Sequence, residues 1–347
     1  MFNITFLGTS SGIPTKERNV SAIAVELMAT THAKRHPWLL IDCGEGTQHQ
    51  LLKSHLSPND LCAILITHTH GDHCYGLAGL LASLGMHGRN KPLTLIAPKA
   101  IDKLLDALAV VSELHLNYPI EFMDIESMMG DNHDVSNAFT LTISNEHHIT
   151  IDIHRLSHRC ASYGFGMTQT LKKDKLLTDK LTLDNIPNIY WGKLLKSDMP
   201  IIINDTPINP HDYKTHHQSK LKIVIAGDND TPELLTDAVI GATLLVHEAT
   251  HTDEIRQKIL ARPLADGGFD PQHSSAKMVA QFAQAAGMPA LALTHFSARY
   301  ASFEDVSDHR PNMAHIRAEA SQHYQGRLIL AKDFLQVLIT ADNVDIV

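Results

Sequence analysis

The chain has 347 residues, 44% hydrophobic and 19% charged, with a formal net charge of -9. That balance suits a globular α/β protein with a substantial core and excludes a disordered chain; the acidity argues against broad attraction to nucleic acid while leaving room for a local basic patch. No apolar run approaches membrane-spanning length, and no charged segment leads into an apolar one at Met1, so a cytoplasmic enzyme without membrane attachment is expected.

Phe2 to Leu7 alternates as a strand and ends in Gly8-Thr-Ser-Ser-Gly12-Ile-Pro14, a tight turn whose glycine spacing is not that of a phosphate-binding Walker loop. Strands are predicted at Ser21 to Leu27 and Trp38 to Ile41, followed by Asp42-Cys-Gly-Glu-Gly46 and a helix to about Lys53. The apolar strand Leu61-Cys-Ala-Ile-Leu-Ile66 then delivers Thr67-His-Thr-His-Gly-Asp-His73. Neutral imidazoles and a carboxylate are the usual ligands of zinc and its neighbours, and a strand end fixes them more firmly than a free loop. Alternation points His68 and His70 the same way, and a turn at Gly71 redirects Asp72 and His73 toward a second ion. The competing reading is an ordinary histidine-rich loop in a chain of 24 histidines. Four residues cannot close two metal sites, so further His or Asp must arrive from distant strands.

A helix is expected over Gly76 to Met86, a strand at Leu93 to Ala97, a helix over Pro98 to Leu114, and strands at Asn137 to Ser144 and Ile149 to Leu156. Lys172 to Asn209, rich in Pro, Asn and Lys with interrupted periodicity, reads as an excursion from the main domain without a buried element. It carries Lys172, Lys173, Lys175, Lys180, Lys193 and Lys196 against Asp174, Asp179 and Asp184, a local basic excess that an ordinary solvated face would also show. Leu221 to Ala226 is a buried strand ending at Gly227-Asp228, Thr243 to Val246 ends at His247-Glu248-Ala-Thr250, and Pro289 to Leu293 ends at Thr294-His295. Ser274 and Ser275 can cap a helix to about Ala286, with Gly287 as its stop. Strands and helices mix without strict βαβ alternation, which favours packed sheets with helices outside. Cys43, Cys62, Cys74 and Cys160 lack paired spacing and are read as reduced thiols, Cys74 filling space near the site.

Several longer stretches resemble the ribonuclease Z family, tRNA 3′-processing endonucleases of the metallo-β-lactamase superfamily. They are Phe6 to Ala22, Asp42 to Gln48, the histidine loop, Leu156-Ser-His-Arg-Cys-Ala-Ser-Tyr-Gly-Phe165, His247 to Thr250, His273-Ser-Ser-Ala276 and Leu293-Thr-His-Phe-Ser-Ala-Arg-Tyr300, in order along nearly the whole chain. The resemblance implies an α/β metallo-β-lactamase fold, a four-layer αββα sandwich, formed as a single domain over 1–347 with an inserted arm for tRNA at about 172–209. It implies one ion held by His68, His70, His158 and Asp228 and another by Asp72, His73, Asp228 and His295. His147 and His148 are rivals of His158 without the following Ser-Tyr-Gly pattern.

Two divalent ions about 3.5–4 Å apart can activate a water and neutralise charge on a phosphodiester. Asp72 would be ligand and catalytic residue, His273 the proton donor to the leaving oxygen, and Glu248 its orienting partner. For His273 the alternative is a polar residue ahead of a capped helix; for His247 and Glu248 it is strand-end groups tying down a loop. Lys193 and Arg299 are the substrate-binding candidates. The implied cofactors are two divalent metal ions per chain, zinc with manganese as the alternative, and the implied partner is precursor tRNA, bound by a homodimer.

Three departures from the family pattern stand out: the arm's centre reads Ile186-Pro-Asn-Ile-Tyr-Trp-Gly-Lys-Leu194, Asn229 replaces a usual threonine, and His251 to Pro271 is longer. Rival functions are a phosphodiesterase for small cyclic or nucleotide esters, and an RNA or protein binder whose metals are only structural.

Overall fold

The structure, a computed structural model, describes residues 1–28, 35–129, 138–142, 148–263 and 269–347, the side chains at 171–173 and 216–219 excepted. His147 and the side chains of Lys172 and Lys173 lie outside the described residues. The chain divides into a large unit, Met1–Gln169 with Lys222–Val347, and a small one, Thr170–Leu221.

The large unit is built on two sheets. The eight-stranded sheet runs Val344–Ile346, Gln336–Ile339, Phe2–Gly8, Ala22–Leu27, Trp38–Ile41, Leu61–Leu65, Leu93–Ala97, Ile120–Asp124. Its first strands pair antiparallel, and from Trp38–Ile41 onward the pairing is parallel. Parallel neighbours need a crossover, supplied by the helices Leu77–Met86 and Lys99–Ser112. The seven-stranded sheet runs Arg327–Leu330, Ala290–Thr294, Ala242–Glu248, Lys214–Ala226, Ser162–Leu176, His148–Leu156, Ala138–Thr142. Its parallel strands cross over partly through the helices Ala276–Ala285 and Met313–His323.

Side-chain alternation explains the layering. Leu40, Ile64 and Leu95 pack with Leu77, Leu81 and Ile101 of the neighbouring helices, and Val224, Leu245 and Leu291 pack with Val279, Ala283 and Ile316. The residues between them in sequence, such as Leu39, Ala63, Leu65, Ile223, Ile225 and Val246, are equally buried. Both faces of each sheet are therefore covered, with helices outside and sheets inside, the αββα arrangement. Strands buried on both faces read as continuous apolar runs, which is why Leu61 to Ile66 and Leu221 to Ala226 stand out in the sequence.

The small unit corrects one expectation. Helices Thr178–Leu183 and Trp191–Lys196 and the hairpin of Ile201–Ile203 with Thr206–Ile208 surround a core of Leu181, Ile186, Leu194, Ile203 and Tyr213. Six-residue helices broken by Pro187 are too short to show a helical period, so this core has no periodic signature.

Candidate metal centre

All seven residues implied as ligands lie just past strands of the large unit or in the helical turn that follows one, and they converge. Leu61–Leu65 leads into the histidine run, where His68 and His70 leave in extended backbone and Gly71–Cys74 forms a single helical turn that carries Asp72 and His73. Gly71 is not left-handed, contrary to the expected turn; a Cβ there would lie 2.2 Å from the ring of the exposed Tyr75, which would have to swing aside. From the second sheet come His158 after His148–Leu156, Asp228 after Lys214–Ala226, and His295 after Ala290–Thr294. His295 sits at φ +56, a left-handed backbone that turns its ring off the strand axis. Gly227 admits no side chain, since a Cβ there would lie 2.6 Å from Thr67 Cβ and 2.8 Å from the Tyr163 carbonyl oxygen.

Two clusters of donor atoms form, each with its atoms within 4.8 Å of one another: His68, His70, His158 and Asp228 in the first, Asp72, His73 and His295 in the second. His70 Nδ1 lies 3.1 Å from both His68 Nε2 and His158 Nε2, and Asp228 Oδ2 is 3.7 Å from those two Nε2 atoms. In the second cluster His295 Nε2 is 3.3 Å from His73 Nε2 and from Asp72 Oδ2. Asp228 Oδ1 is 3.5 Å from His73 Nε2 and 3.4 Å from His295 Nε2. The two oxygens of Asp228 thus address different clusters, the geometry of a bridging carboxylate. His148 is elsewhere, beside Thr142 Oγ1 at 3.2 Å.

Hydrogen bonds on the far sides of the rings show which nitrogens carry protons. His158 Nδ1 donates to the Gln272 carbonyl at 2.8 Å and His73 Nδ1 to Asp42 Oδ2 at 2.7 Å. Thr67 Oγ1 donates to Asp42, so it accepts from His68 Nδ1 at 3.0 Å; Thr250 Oγ1 donates to Glu248, so it accepts from His295 Nδ1 at 3.0 Å. Each of these imidazoles is fixed in the tautomer that leaves Nε2 a bare lone pair turned to its cluster. For His70 the inward atom is Nδ1, and Nε2 faces Cys160 Sγ at 3.8 Å. Lone pairs this close repel unless a proton or cation stands between them, so the donor set fits a pair of divalent ions.

The electrostatics agree at His68 and differ at His73, where burial would lower the imidazole but Asp228 and Asp42 outweigh it and hold it well above the ordinary histidine range, a proton standing where a cation would. Burial first, then the neighbouring His73, hold His68 far below the ordinary histidine range. Burial would raise the carboxyls of Asp228 and Asp72, but the surrounding imidazoles, His295 foremost, keep both ionised. Burial would likewise neutralise His273, yet Glu248 outweighs it and lifts the imidazole to about 9.

His273 meets the centre from the side. Its Nδ1 lies 2.9 Å from Glu248 Oε2 and 3.7 Å from Asp228 Oδ2, close enough to count as a third potential donor group with Asp228 and His295. Glu248 occupies that Nδ1 and leaves the opposite ring edge for other work. His247 is buried and bonded to the Glu248 carbonyl and to Asn229, a structural role. Arg299 follows Phe296–Ser297 and lines a cavity shared with His273. Lys193 belongs to the small unit, its Nζ 6.0 Å from the Tyr190 ring centre. The residues that the sequence reading missed are the supports, Asp42, Thr67, Thr250 and the Gln272 carbonyl. Asp42 and Gln272 both take left-handed backbone, at φ 59 and 53, an irregularity no pattern of residue types discloses.

Comparison with known proteins places this geometry in context. Residues 2–221 match the family described as anti-Pycsar protein Apyc1. The chain is 41% identical over 338 residues to a ribonuclease Z of Marinobacter nauticus, covering 95% of this chain and 94% of the relative. A ribonuclease BN of Proteus mirabilis is 34% identical over 302 residues, 87% of this chain and 91% of the relative. The crystal structure of the short form of human tRNase Z superposes with a TM-score of 0.61 at 24% identity, covering 97% of this chain and 99% of that one. The fold is that of the metallo-β-lactamases.

Proposed function

Because the chain belongs to the ribonuclease Z family and, over residues 2–221, to that of anti-Pycsar protein Apyc1, we propose that it is a metal-dependent endoribonuclease removing the 3′ trailer from precursor tRNA. The observation that carries the reading is Asp228, whose two oxygens face two separate donor clusters. The ions taken up are two zincs per chain, with manganese as the alternative, and the working form is a cytoplasmic homodimer.

When bound, the ions would polarise a water and neutralise charge gathering on the phosphodiester. Asp72 accepts the Gly12 N–H at 2.7 Å through Oδ2, which leaves Oδ1 to orient the attacking water and take its proton. His273, held charged by Glu248, gives its Nε2 proton to the departing 3′ oxygen, so the tRNA keeps a 3′ hydroxyl and the trailer a 5′ phosphate. Glu248 acts through His273 and is a positioning residue. The small unit, Thr170–Leu221, serves as the arm that grips tRNA, with Lys193 among its phosphate contacts.

End mapping of a precursor tRNA cut by the protein, beside a small phosphodiester assayed in parallel, tests this. A single cut at the trailer junction is expected. Hydrolysis of the small ester with no cut in the precursor would instead make the protein a phosphodiesterase for small cyclic or nucleotide esters.

A further inference from the structure

A cavity of about 510 Å³ opens beside His273 and Thr250, walled by the helix Asp253–Leu260 and by Arg159, Arg262, Phe269 and Arg299. Its composition runs against that of the chain. The protein carries a net charge of -9, yet Arg159, Arg262 and Arg299 meet here without an acidic partner among the described residues. Lys258, also on this wall, is tied to Glu254. Three like charges around one hollow repel unless an anion joins them. Phe269 is 56% exposed with the Arg159 guanidinium 5.8 Å from its ring centre, an open aromatic face next to a cation.

His251, 6% exposed, also lines the cavity, and burial keeps its imidazole neutral, its pKa pushed down to about 4, so it adds no charge to this wall.

We propose that this cavity binds the nucleotide bearing the leaving 3′ oxygen, its base on Phe269 and Arg159 and its own 5′ phosphate on Arg262 and Arg299. The proposal rests on the role given to His273, which lines both the cavity and the metal centre. A donor that protonates the departing oxygen must touch the nucleotide that keeps it. Arg159, next to the ligand His158, and Arg299, four residues past the ligand His295, put the cavity's cations beside the cleaved bond. The nucleotide just upstream of the cut is therefore the one whose base this chain can weigh.

The probes are the four nucleoside 5′-monophosphates, which carry the 5′ phosphate and free 3′ hydroxyl of the cleaved tRNA end, with inorganic phosphate as the control. Binding to the whole protein is followed by calorimetry, and kcat/KM is measured on precursors with a normal or an abasic upstream nucleotide. Phe269→Ala and Arg262→Ala, both exposed positions, are each expected to weaken monophosphate binding and kcat/KM on the normal precursor about tenfold, and to erase most of the difference between normal and abasic precursors. Phosphate binding as tightly as the monophosphates, or an equal loss on a small phosphodiester, would overturn the proposal. A precursor cut normally by both variants would sink the cavity and leave the endonuclease standing. Monophosphate binding lost in the variants of a protein that cuts no precursor would do the opposite.

Discussion

Asp42 and Glu248 are counterparts: each is a buried carboxylate at a strand end that holds one imidazole directly and a second through a threonine. Asp42 takes His73 and, by way of Thr67, His68; Glu248 takes His273 and, by way of Thr250, His295. One serves the first sheet and the other the second. The two differ in what they grip, since Asp42 supports two ligands while Glu248 supports a ligand and a proton donor.

Asp42→Asn replaces an acceptor of bonds from His73 Nδ1, Thr67 N and Thr67 Oγ1 with a group that has only one acceptor oxygen. Metal affinity should fall about 10–100-fold, because both dependent imidazoles lose their fixed tautomer. Metal per chain after dialysis against graded chelator reads this directly, and an unchanged metal content would show that the imidazoles hold their orientation without it.

His273→Ala should keep two ions per chain and lower the cleavage rate by about 10²–10⁴-fold, the usual worth of a positioned acid. Loss of an ion together with the rate would reassign His273 from donor to ligand, a role its 3.7 Å approach to Asp228 permits.

Asp228→Ala removes the one residue among those described that addresses both clusters, and both ions should leave together. Metal analysis of Asp228→Ala beside His158→Ala separates the cases: the second variant should lose mainly one ion, and retention of both by Asp228→Ala would deny the bridge.

Asp333 offers a pH test away from the metals. It accepts from Asn19 N, Thr9 Oγ1 and Gln50 Nε2, and burial raises its pKa to about 6. The folded chain binds this proton more tightly than the unfolded one, so the group's contribution to stability falls as pH rises from about 4 to about 6. Asp333→Asn should therefore gain on the parent over that window, by at most about 2–3 kcal/mol. Denaturant midpoints of both proteins at pH 4 and 7 measure the change; a gap independent of pH would contradict it.

Lys193→Glu with Lys196→Glu places acidic groups on the helix Trp191–Lys196 of the small unit. KM for precursor tRNA should rise several-fold, with a shallower dependence on salt, and more than any change on a small phosphodiester. Equal effects on both substrates would remove the small unit from substrate binding.

The candidate ligands were reached in the sequence by two routes, the histidine run by its own residue types and His158, Asp228 and His295 through the resemblance to the ribonuclease Z family, with three of the segments marked besides by an apolar run buried on both faces. Leu61 to Ile66 before His68, Leu221 to Ala226 before Asp228 and Pro289 to Leu293 before His295 are of this kind. The supports were not legible. Asp42 meets His73 across 31 positions and Thr250 meets His295 across 45, pairings made by sheet register and by left-handed backbone. The small unit's core was hidden for another reason, since its helices are too brief to repeat a pattern.

The seam between the sheets also sets when the protein can act. The histidine loop belongs to the first sheet, whereas His158, Asp228 and His295 ride on the second, and Asp333 ties the end of the chain back to Thr9, Asn19 and Gln50. Neither of the two clusters joined by Asp228 lies on one sheet alone. The donors of each cluster therefore come together only when the two sheets have packed on one another, so metal uptake at either cluster reports docked sheets and not a folded half.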